Sequence, residues 1–249
     1  MIDRHLLPND LREQVGSESP CKENITREIF LFCSEKYNNV VFCGLFGSFA
    51  RGDHTDLSDI DFVIILNNND HISRTQTVRD GNLFQYMTIG INNISLIFEK
   101  ERVSGYSYLL SAFSDMQLCF GDKNLFLSLK NESLRIRAEG PALPSKSQTN
   151  ALVRNSVNSY LKLLRYRTDH LVSFGARLNL YSDLLVLMQA NMTVWVEPPD
   201  RAHINLRNNA DYIEIVETMN IDPALAVDRL LAVTKRYLIE MGQFVWTAG

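Results

Sequence analysis

Two short apolar runs stand out along the chain, one from Val40 to Phe46 and the other from Phe62 to Leu66. The residues between them include a glycine–serine pair and several aspartates. Apolar runs of this length, bounded by turn residues, are typical of buried strands. The pattern therefore predicts a strand, a turn with a short helix, and a second strand from Ile60 to Leu66. Helical spacing of apolar residues over 22–37 predicts a helix before the first strand.

The region after the second strand has a weaker pattern. Residues 71–81 are polar and are predicted to form a loop with a short helix. Partial alternation over 84–91 and the apolar run Ile94–Phe98 surround Asn92-Asn93. Two β-rich runs around such a pair predict a β-hairpin.

The C-terminal hundred residues have a helical pattern instead. Apolar positions from Val153 to Leu171 mark one face of a long helix, and 178–192 is a second, strongly apolar one. Two further helices are predicted over 210–219 and 223–244. Together these segments predict a helical bundle.

The best candidate boundary lies between these two patterns, where glycine and proline cluster in residues 130–150. We therefore predict an α+β protein with a small mixed-sheet domain over 1–129, a linker over 130–150 and a helical bundle domain over 151–249.

Composition is ordinary for a globular protein, with 45% hydrophobic and 22% charged residues among 249. The first ten residues lack the apolar core of a signal peptide, and no apolar run approaches the roughly 20 residues that span a bilayer. The four cysteines show no metal-ligand spacing, and a disulfide framework is not expected. We expect a cytoplasmic protein without a membrane partner.

Charge bears on the choice of partner. The net charge of −4 argues against a general nucleic-acid binder. However, residues 123–177 carry ten lysines and arginines against three acids. A nucleic-acid partner is therefore unlikely but stays open.

The candidate chemistry lies between the two apolar runs. Asp59 and Asp61 share one face of a strand, with Cα atoms about 6.5 Å apart, which suits hard cations such as Mg²⁺. The turn at Gly47-Ser48 offers backbone N–H groups to a phosphate. A phosphate cradle beside a metal-binding acid pair indicates chemistry on a nucleoside triphosphate.

The same residues resemble the signature of the DNA polymerase β-like nucleotidyltransferase superfamily, and more narrowly the minimal and antibiotic-modifying nucleotidyltransferases. The likeness rests on about fifteen residues, namely Gly47-Ser48-Phe49-Ala50-Arg51-Gly52 followed by Ser58-Asp59-Ile60-Asp61. The order of an α/β domain and a helical bundle is also similar to that of streptomycin/spectinomycin adenylyltransferases, a type of aminoglycoside adenylyltransferase.

This resemblance implies a role for each matching residue. Gly47 and Ser48 would hold the β- and γ-phosphates, with Arg51 and Ser58 in the same nucleotide-binding motif. Arg51 either neutralises phosphate charge or supports the loop. Asp59 and Asp61 would be catalytic and would hold two Mg²⁺ ions, with ATP as substrate.

The resemblance also implies a third catalytic acid on a later strand. The strand expected to carry it is Ile94–Phe98, whose central outward position is Ser95. Glu99 keeps the same face by alternation, although it lies roughly 13 Å further along the strand. Glu99 is therefore the candidate for the third acid.

Three functions are compatible with these observations. The first is Mg²⁺-dependent transfer of a nucleoside monophosphate, AMP from ATP, to a hydroxyl of a small molecule, with release of pyrophosphate. The second keeps the reaction but uses a protein or RNA acceptor. The third is a nucleotide-binding or toxin–antitoxin interaction module without turnover.

Two charged helix faces leave alternatives open. Arg154, Lys162 and Arg165 either form a solvated face or close over the cleft. The acids Asp211, Glu214 and Glu217 either form a solvated face or meet a cationic acceptor.

Overall fold

The computed structural model of the chain describes residues 20–67, 72–79 and 81–242. These residues form two compact units. The first contains the described residues up to Glu101 and from Tyr108 to Glu139, and the second contains Arg102–Ser107 and the described residues from Gly140 onward. A sheet lies in the first unit and helices dominate the second, so the predicted α+β class is confirmed.

The first unit is built around a five-stranded sheet with helices on both faces. Its described elements are α1 (Pro20–Lys36), β1 (Val40–Phe46), α2 (Gly47–Arg51), β2 (Ile60–Leu66), β3 (Ile72–Arg79), β4 (Asn82–Gly90), a 3₁₀ turn (Ile91–Asn93), α3 (Ile94–Ser104), α4 (Tyr108–Asp115), β5 (Gln117–Gly121) and α5 (Lys123–Glu139). The last three residues of α3 belong to the second unit.

The sheet has the order β3-β4-β2-β1-β5. The pair β2–β4 is parallel and the other neighbours are antiparallel. The inner strands are β4, β2 and β1, and the long apolar runs of β1 and β2 reflect burial on both faces. The two strands predicted from the first apolar runs, Val40–Phe46 and Ile60–Leu66, are confirmed.

Alternation divides the side chains of the sheet between two faces. On the α1 face, the rings of Phe62, Phe84 and Tyr86 pack around Phe32 of α1. On the opposite face, which we call the α4 face, Phe42 of β1 contacts Phe113 of α4. Residues paired across neighbouring strands point to the same face, so the register assigns each polar residue of the sheet to one of the two faces.

Two predictions after β2 are wrong. Residues 72–79 form strand β3 rather than a loop with a short helix, and Ile94–Phe98 begins helix α3 rather than the second strand of a hairpin. The observed hairpin joins β3 to β4. Ile94 and Phe98 are buried four residues apart, which is helical spacing, whereas a run this short does not by itself distinguish a helix from a strand.

The second unit is helical. Its described helices are α6 (Lys146–Arg165), α7 (His170–Asn191), α8 (His203–Leu206), α9 (Ala210–Met219) and α10 (Pro223–Glu240). Its core contains Leu163, Leu184 and Leu230 from three of these helices. The predicted linker over 130–150 is helical as far as Glu139 and again from Lys146.

One long predicted helix is two helices. The face from Val153 to Leu171 is interrupted after Arg165, and α7 begins eight residues before the predicted start at 178. Asp169 caps α7, because its side chain accepts hydrogen bonds from the backbone N–H groups of Leu171 and Val172. The part of the last predicted helix beyond Gly242 lies outside the described residues.

Among the described helices, α7 alone has the length and apolar composition to cross a membrane, with a mean hydropathy of 1.3 over 18 residues. Several of its apolar residues, including Leu180, Leu184 and Met188, lie in the core of the second unit. Packing in this core accounts for part of the apolar composition of α7, since 39% of the 18-residue window is buried.

Candidate active site

The two aspartates of the predicted metal site lie at the start of β2 and are both half-buried. Asp61 pairs with Phe46 of β1, and Phe46 contacts the ring of Tyr108 on α4. Asp61 is therefore on the α4 face, with Asp59 two residues before it in the chain. The structure thus keeps the two carboxylates together, at the mouth of a buried strand.

Burial and neighbouring charges shift the pKa of Asp61. Burial, together with the negative charge of Asp59, raises the pKa of Asp61 to about 6. The positive charges of Arg74 and Arg51 act in the opposite direction. A cation bound between the carboxylates would relieve this repulsion and favour the ionised form of Asp61.

Gly47 lies directly against Asp61. Its φ is +73°, a backbone conformation that favours glycine. A Cβ at this position would lie 2.6 Å from Oδ2 of Asp61, a distance that real Cβ atoms essentially never show. The turn after β1 is therefore fitted to the carboxylate, and glycine is the residue that permits this approach.

The other motif residues shape the loop between α2 and β2. The backbone carbonyl of Ser48 accepts hydrogen bonds from the N–H groups of Gly52 and Asp53. The hydroxyl of Ser58 accepts a hydrogen bond of 2.9 Å from the backbone N–H of Thr55. These contacts fix the chain on both sides of the loop that leads into Asp59.

Arg51 contacts two acids. Its Nε lies 3.2 Å from Oδ2 of Asp53, and its Nη1 lies 3.7 Å from Oδ2 of Asp115 on α4. These ion pairs fit the supporting role that the sequence left open for Arg51. Its role as a phosphate ligand stays a prediction.

The strand next to the aspartates carries a glutamine where the resemblance implies an acid. Gln85 of β4 pairs with Asp61 in the parallel register, and its side-chain amide donates a hydrogen bond to Oδ2 of Asp59. A glutamine amide can orient a carboxylate, but it cannot take a proton from an attacking group. This residue was missed because β4 was not identified as the strand that neighbours the aspartates.

The structural argument for Glu99 as third acid is wrong, since it rested on alternation along a strand. Both Ser95 and Glu99 are exposed residues of helix α3. Another acid of this helix, Glu101, accepts hydrogen bonds from the backbone N–H groups of Leu109 and Leu110. Glu101 therefore caps the first turn of α4. A catalytic role for Glu99 stays a prediction.

Sequence reasoning also missed a cation. Arg74 of β3 pairs with Met87 of β4, which places it on the α4 face. Its guanidinium carbon lies 4.9 Å from the centre of the Tyr108 ring, a cation–π contact. Burial raises the pKa of Tyr108, and the positive charge of Arg74 opposes the rise in pKa of both Tyr108 and Asp61. A signal was present in the sequence, because Asp80-Gly81 is a strong hairpin turn pair between β-rich segments.

The donor set fits Mg²⁺. This ion is usually held by one or two carboxylates together with substrate phosphates and water, rather than by a full cage of protein ligands. Asp59 and Asp61 supply two such carboxylates. No group of three or more His, Cys, Asp or Glu side chains suited to a metal occurs in the described part of the chain. The site therefore suits a metal that arrives with a nucleotide.

The charged helix faces of the second unit differ in their partners. The acid face of α9 is paired within the unit. Arg236 contacts Asp211 and Glu214, and Arg229 lies 2.8 Å from Glu217. Because these carboxylates are already paired with arginines, less negative charge is left to attract a cationic acceptor. Arg154, Lys162 and Arg165 are exposed on α6, and their predicted closure over the nucleotide stays a prediction.

The sequence of the first unit matches a known family. Residues 26–125 match the family described as "Nucleotidyltransferase domain". This range contains all the site residues described above, from Gly47 to Tyr108. It supports nucleotidyl transfer in general and implies a nucleotide substrate.

One solved structure is similar over most of the chain. It is the crystal structure of a nucleotidyltransferase-like protein from Exiguobacterium sibiricum, with a TM-score of 0.54 and 10% sequence identity. The match covers 88% of this chain and 75% of that chain. At this identity the likeness shows the fold alone. A search of curated proteins gave no match.

Proposed function

We propose that the chain is a Mg²⁺-dependent nucleotidyltransferase that moves AMP from ATP to an oxygen of an acceptor and releases pyrophosphate. The observation that carries this proposal is the contact between Gly47 and Asp61. It brings a turn with backbone N–H groups against a pair of carboxylates, inside the region that matches the nucleotidyltransferase domain. The preference for ATP and the cytoplasmic location come from sequence and stay predictions.

Each residue has a separate task in this proposal. Asp59 and Asp61 hold Mg²⁺ jointly with the nucleotide, and Gln85 orients Asp59 through its hydrogen bond. The turn at Gly47-Ser48 faces the β- and γ-phosphates. When bound, Mg²⁺ supplies stabilisation of the negative charge that develops on the phosphates during transfer.

The test is Mg²⁺-dependent binding and transfer with α-labelled ATP. Asp59→Asn and Asp61→Asn each remove one metal ligand but keep the side-chain shape. We expect both variants to lose nucleotide binding that depends on Mg²⁺. Full binding and full transfer by both would exclude the proposed site.

A second candidate function follows from Gln85. A protein that binds the nucleotide without transferring it needs no general base, and an amide beside Asp59 is compatible with that. The sequence is compatible with such a module, including a toxin–antitoxin interaction module. Nucleotide-dependent thermal stabilisation without pyrophosphate release from any acceptor would favour this candidate over the enzyme.

A further inference from the structure

Two side chains on the α4 face of the sheet bind neither the nucleotide nor the metal in the function proposed above, although one of them orients Asp59. They are Gln85 of β4 and Arg74 of β3. We propose that they select an acceptor whose attacking oxygen is already ionised, a phosphate or carboxylate oxygen, and that Arg74 binds this oxyanion. This inference rests on the proposed function and names the chemical class of the acceptor.

On β4, the strand beside the aspartates, the position paired with Asp61 carries no base. A neutral hydroxyl must lose a proton as it attacks, and a positioned base accelerates that step. The residue beside the aspartates on the neighbouring strand is Gln85, whose amide already donates to Asp59. Asp59 and Asp61 are themselves committed to the metal. An ionised oxygen needs no base, so it suits this set of residues.

Arg74 is an exposed cation on the same face of the sheet. Arg74 makes no ion pair with a carboxylate in the described part of the chain, and its guanidinium lies over the ring of Tyr108. This contact restrains the guanidinium without using its N–H donors. Arginine donors in a planar fork are well suited to phosphate and carboxylate.

The strand order bears on the side from which the acceptor arrives. Gly47 follows β1, which lies on one side of β2, whereas Gln85 and Arg74 lie on β4 and β3, on the other side. In phosphoryl transfer the attacking and leaving oxygens are roughly in line. If pyrophosphate leaves toward Gly47-Ser48, then the acceptor attacks from the side of β4 and β3, where Arg74 lies.

The reaction balances without a proton acceptor. The ionised oxygen of the acceptor donates an electron pair to the α-phosphorus, and a new P–O bond forms. The bond from the α-phosphorus to the bridging oxygen of the β-phosphate breaks, and pyrophosphate leaves with that electron pair. The product is a mixed anhydride between AMP and the phosphate or carboxylate.

Binding tests the role of Arg74 without requiring turnover. Phenyl phosphate, benzoate and neutral benzyl alcohol are titrated into the protein with Mg²⁺ and a non-hydrolysable ATP analogue. We expect one or both anions to bind and the alcohol not to bind. Arg74→Gln should weaken anion binding by about tenfold or more and change the affinity for the ATP analogue far less.

Arg79→Gln is the matched control. Arg79 lies on the same strand but on the α1 face, where it bonds Glu35 of α1. The Arg79→Gln substitution removes the same charge as Arg74→Gln. Because it removes that charge from the other face of the sheet, we expect unchanged anion binding. Binding of phosphate alone or of carboxylate alone would identify the acceptor group. The inference is overturned if neither anion binds, or if Arg74→Gln weakens the ATP analogue as much as the anion.

Hydrolysis tests the role of Gln85, because water is a neutral acceptor that is always present. We expect the wild-type protein to release AMP from ATP very slowly. Gln85→Glu should raise this release about a hundredfold, since it supplies a base. Gln76→Glu puts the same charge on β3, opposite Gln85, and should have little effect. Equal rates for wild type and Gln85→Glu would contradict the inference.

These outcomes are distinct from failure of the proposed function. If the ATP analogue does not bind in the presence of Mg²⁺, the proposed function itself fails. If it binds in an Asp61-dependent way but the anions do not, only the acceptor class is wrong.

Discussion

At the scale of single residues, the main feature of the site is the close approach of Gly47 to the carboxylate of Asp61. The glycine is held at positive φ with its Cα turned toward a carboxylate that is half-buried and beside a second acid. Such an arrangement costs stability, because two carboxylates near each other repel and burial removes solvent from them. A site that binds a cation gives a physical reason for this cost.

Replacing Gly47 by alanine should disrupt the site more than a similar change nearby. The added Cβ would press on Asp61 at 2.6 Å, so we expect Gly47→Ala to lose Mg²⁺-dependent nucleotide binding. Gly52 also has positive φ, at 82°, but a Cβ there would meet nothing within 4 Å. Gly52→Ala should therefore cost only the backbone strain, about 1 to 2 kcal/mol in chemical denaturation, and retain binding. Equal loss of binding in both variants would contradict this view.

Asp61→Asn should stabilise the protein without ligand. The pKa of Asp61 is raised to about 6 from an ordinary 3.8, so the folded state favours the protonated carboxyl. Its stabilising contribution is present below pH 3.8 and is lost as pH rises through 6. At pH 7 to 8 the ionised group therefore lowers stability.

We expect Asp61→Asn to raise the free energy of unfolding at pH 7 to 8 by roughly 1 kcal/mol, after discounting for solvent screening of a half-buried group. The gain should shrink toward pH 4. Asp56→Asn in the exposed loop should change stability by less than about 0.5 kcal/mol. Denaturant titrations at the two pH values measure both. A loss of stability at neutral pH would refute the assignment of electrostatic cost to Asp61.

At the scale of elements, residue spacing along the chain predicts individual strands but does not predict which strands pair. Strands β1 and β2 with their turn could be predicted because the apolar runs and the motif are contiguous in sequence. The position of Gln85 depends on which strand pairs with β2, and the parallel pair β2–β4 joins segments more than twenty residues apart. Ile94–Phe98 was mistaken for that strand, since apolar spacing in five residues fits both a helix and a strand.

The cap of α4 links one of these elements to the site. Glu101 accepts two backbone N–H groups at the start of α4, and Tyr108 is the first residue of that helix. We expect Glu101→Ala to lower the free energy of unfolding by about 1 to 2 kcal/mol. We also expect it to weaken anion binding, because Tyr108, which contacts the guanidinium of Arg74, would be held less firmly.

Glu99→Ala is the control on the same helix and also tests the third-acid prediction. An exposed residue of α3 should change stability by less than about 0.5 kcal/mol. We expect it to leave nucleotidyl transfer unchanged. A large loss of transfer with normal nucleotide binding would instead assign Glu99 a catalytic role.

At the scale of the whole molecule, charge distribution argues against a nucleic-acid partner. Several cations of the basic segment 123–177 are engaged within their own units. Arg135 pairs with Glu132 and Glu139, and Lys130 donates to the backbone carbonyl of Met116. Arg177 is buried, with its guanidinium 5.7 Å from the ring of Phe174. Sequence alone counts charges but does not show which are paired.

We therefore expect weak binding of mixed-sequence RNA, with a dissociation constant no tighter than the nonspecific range of about 10⁻⁴ to 10⁻⁶ M. Filter binding at 50 and 200 mM salt measures it. Tight binding with a steep fall over this salt range would support an RNA acceptor instead. Normal transfer to a small anion would remain compatible with weak RNA binding.

The most direct test of the account is a calorimetric titration of a non-hydrolysable ATP analogue into wild-type protein and Asp61→Asn, with and without Mg²⁺. We predict that the wild type binds the ATP analogue only with Mg²⁺. We also predict that Asp61→Asn, although at least as stable as the wild type, shows no Mg²⁺-dependent binding. Equal Mg²⁺-dependent binding to both proteins would contradict the assignment of Asp61 and the proposed site with it.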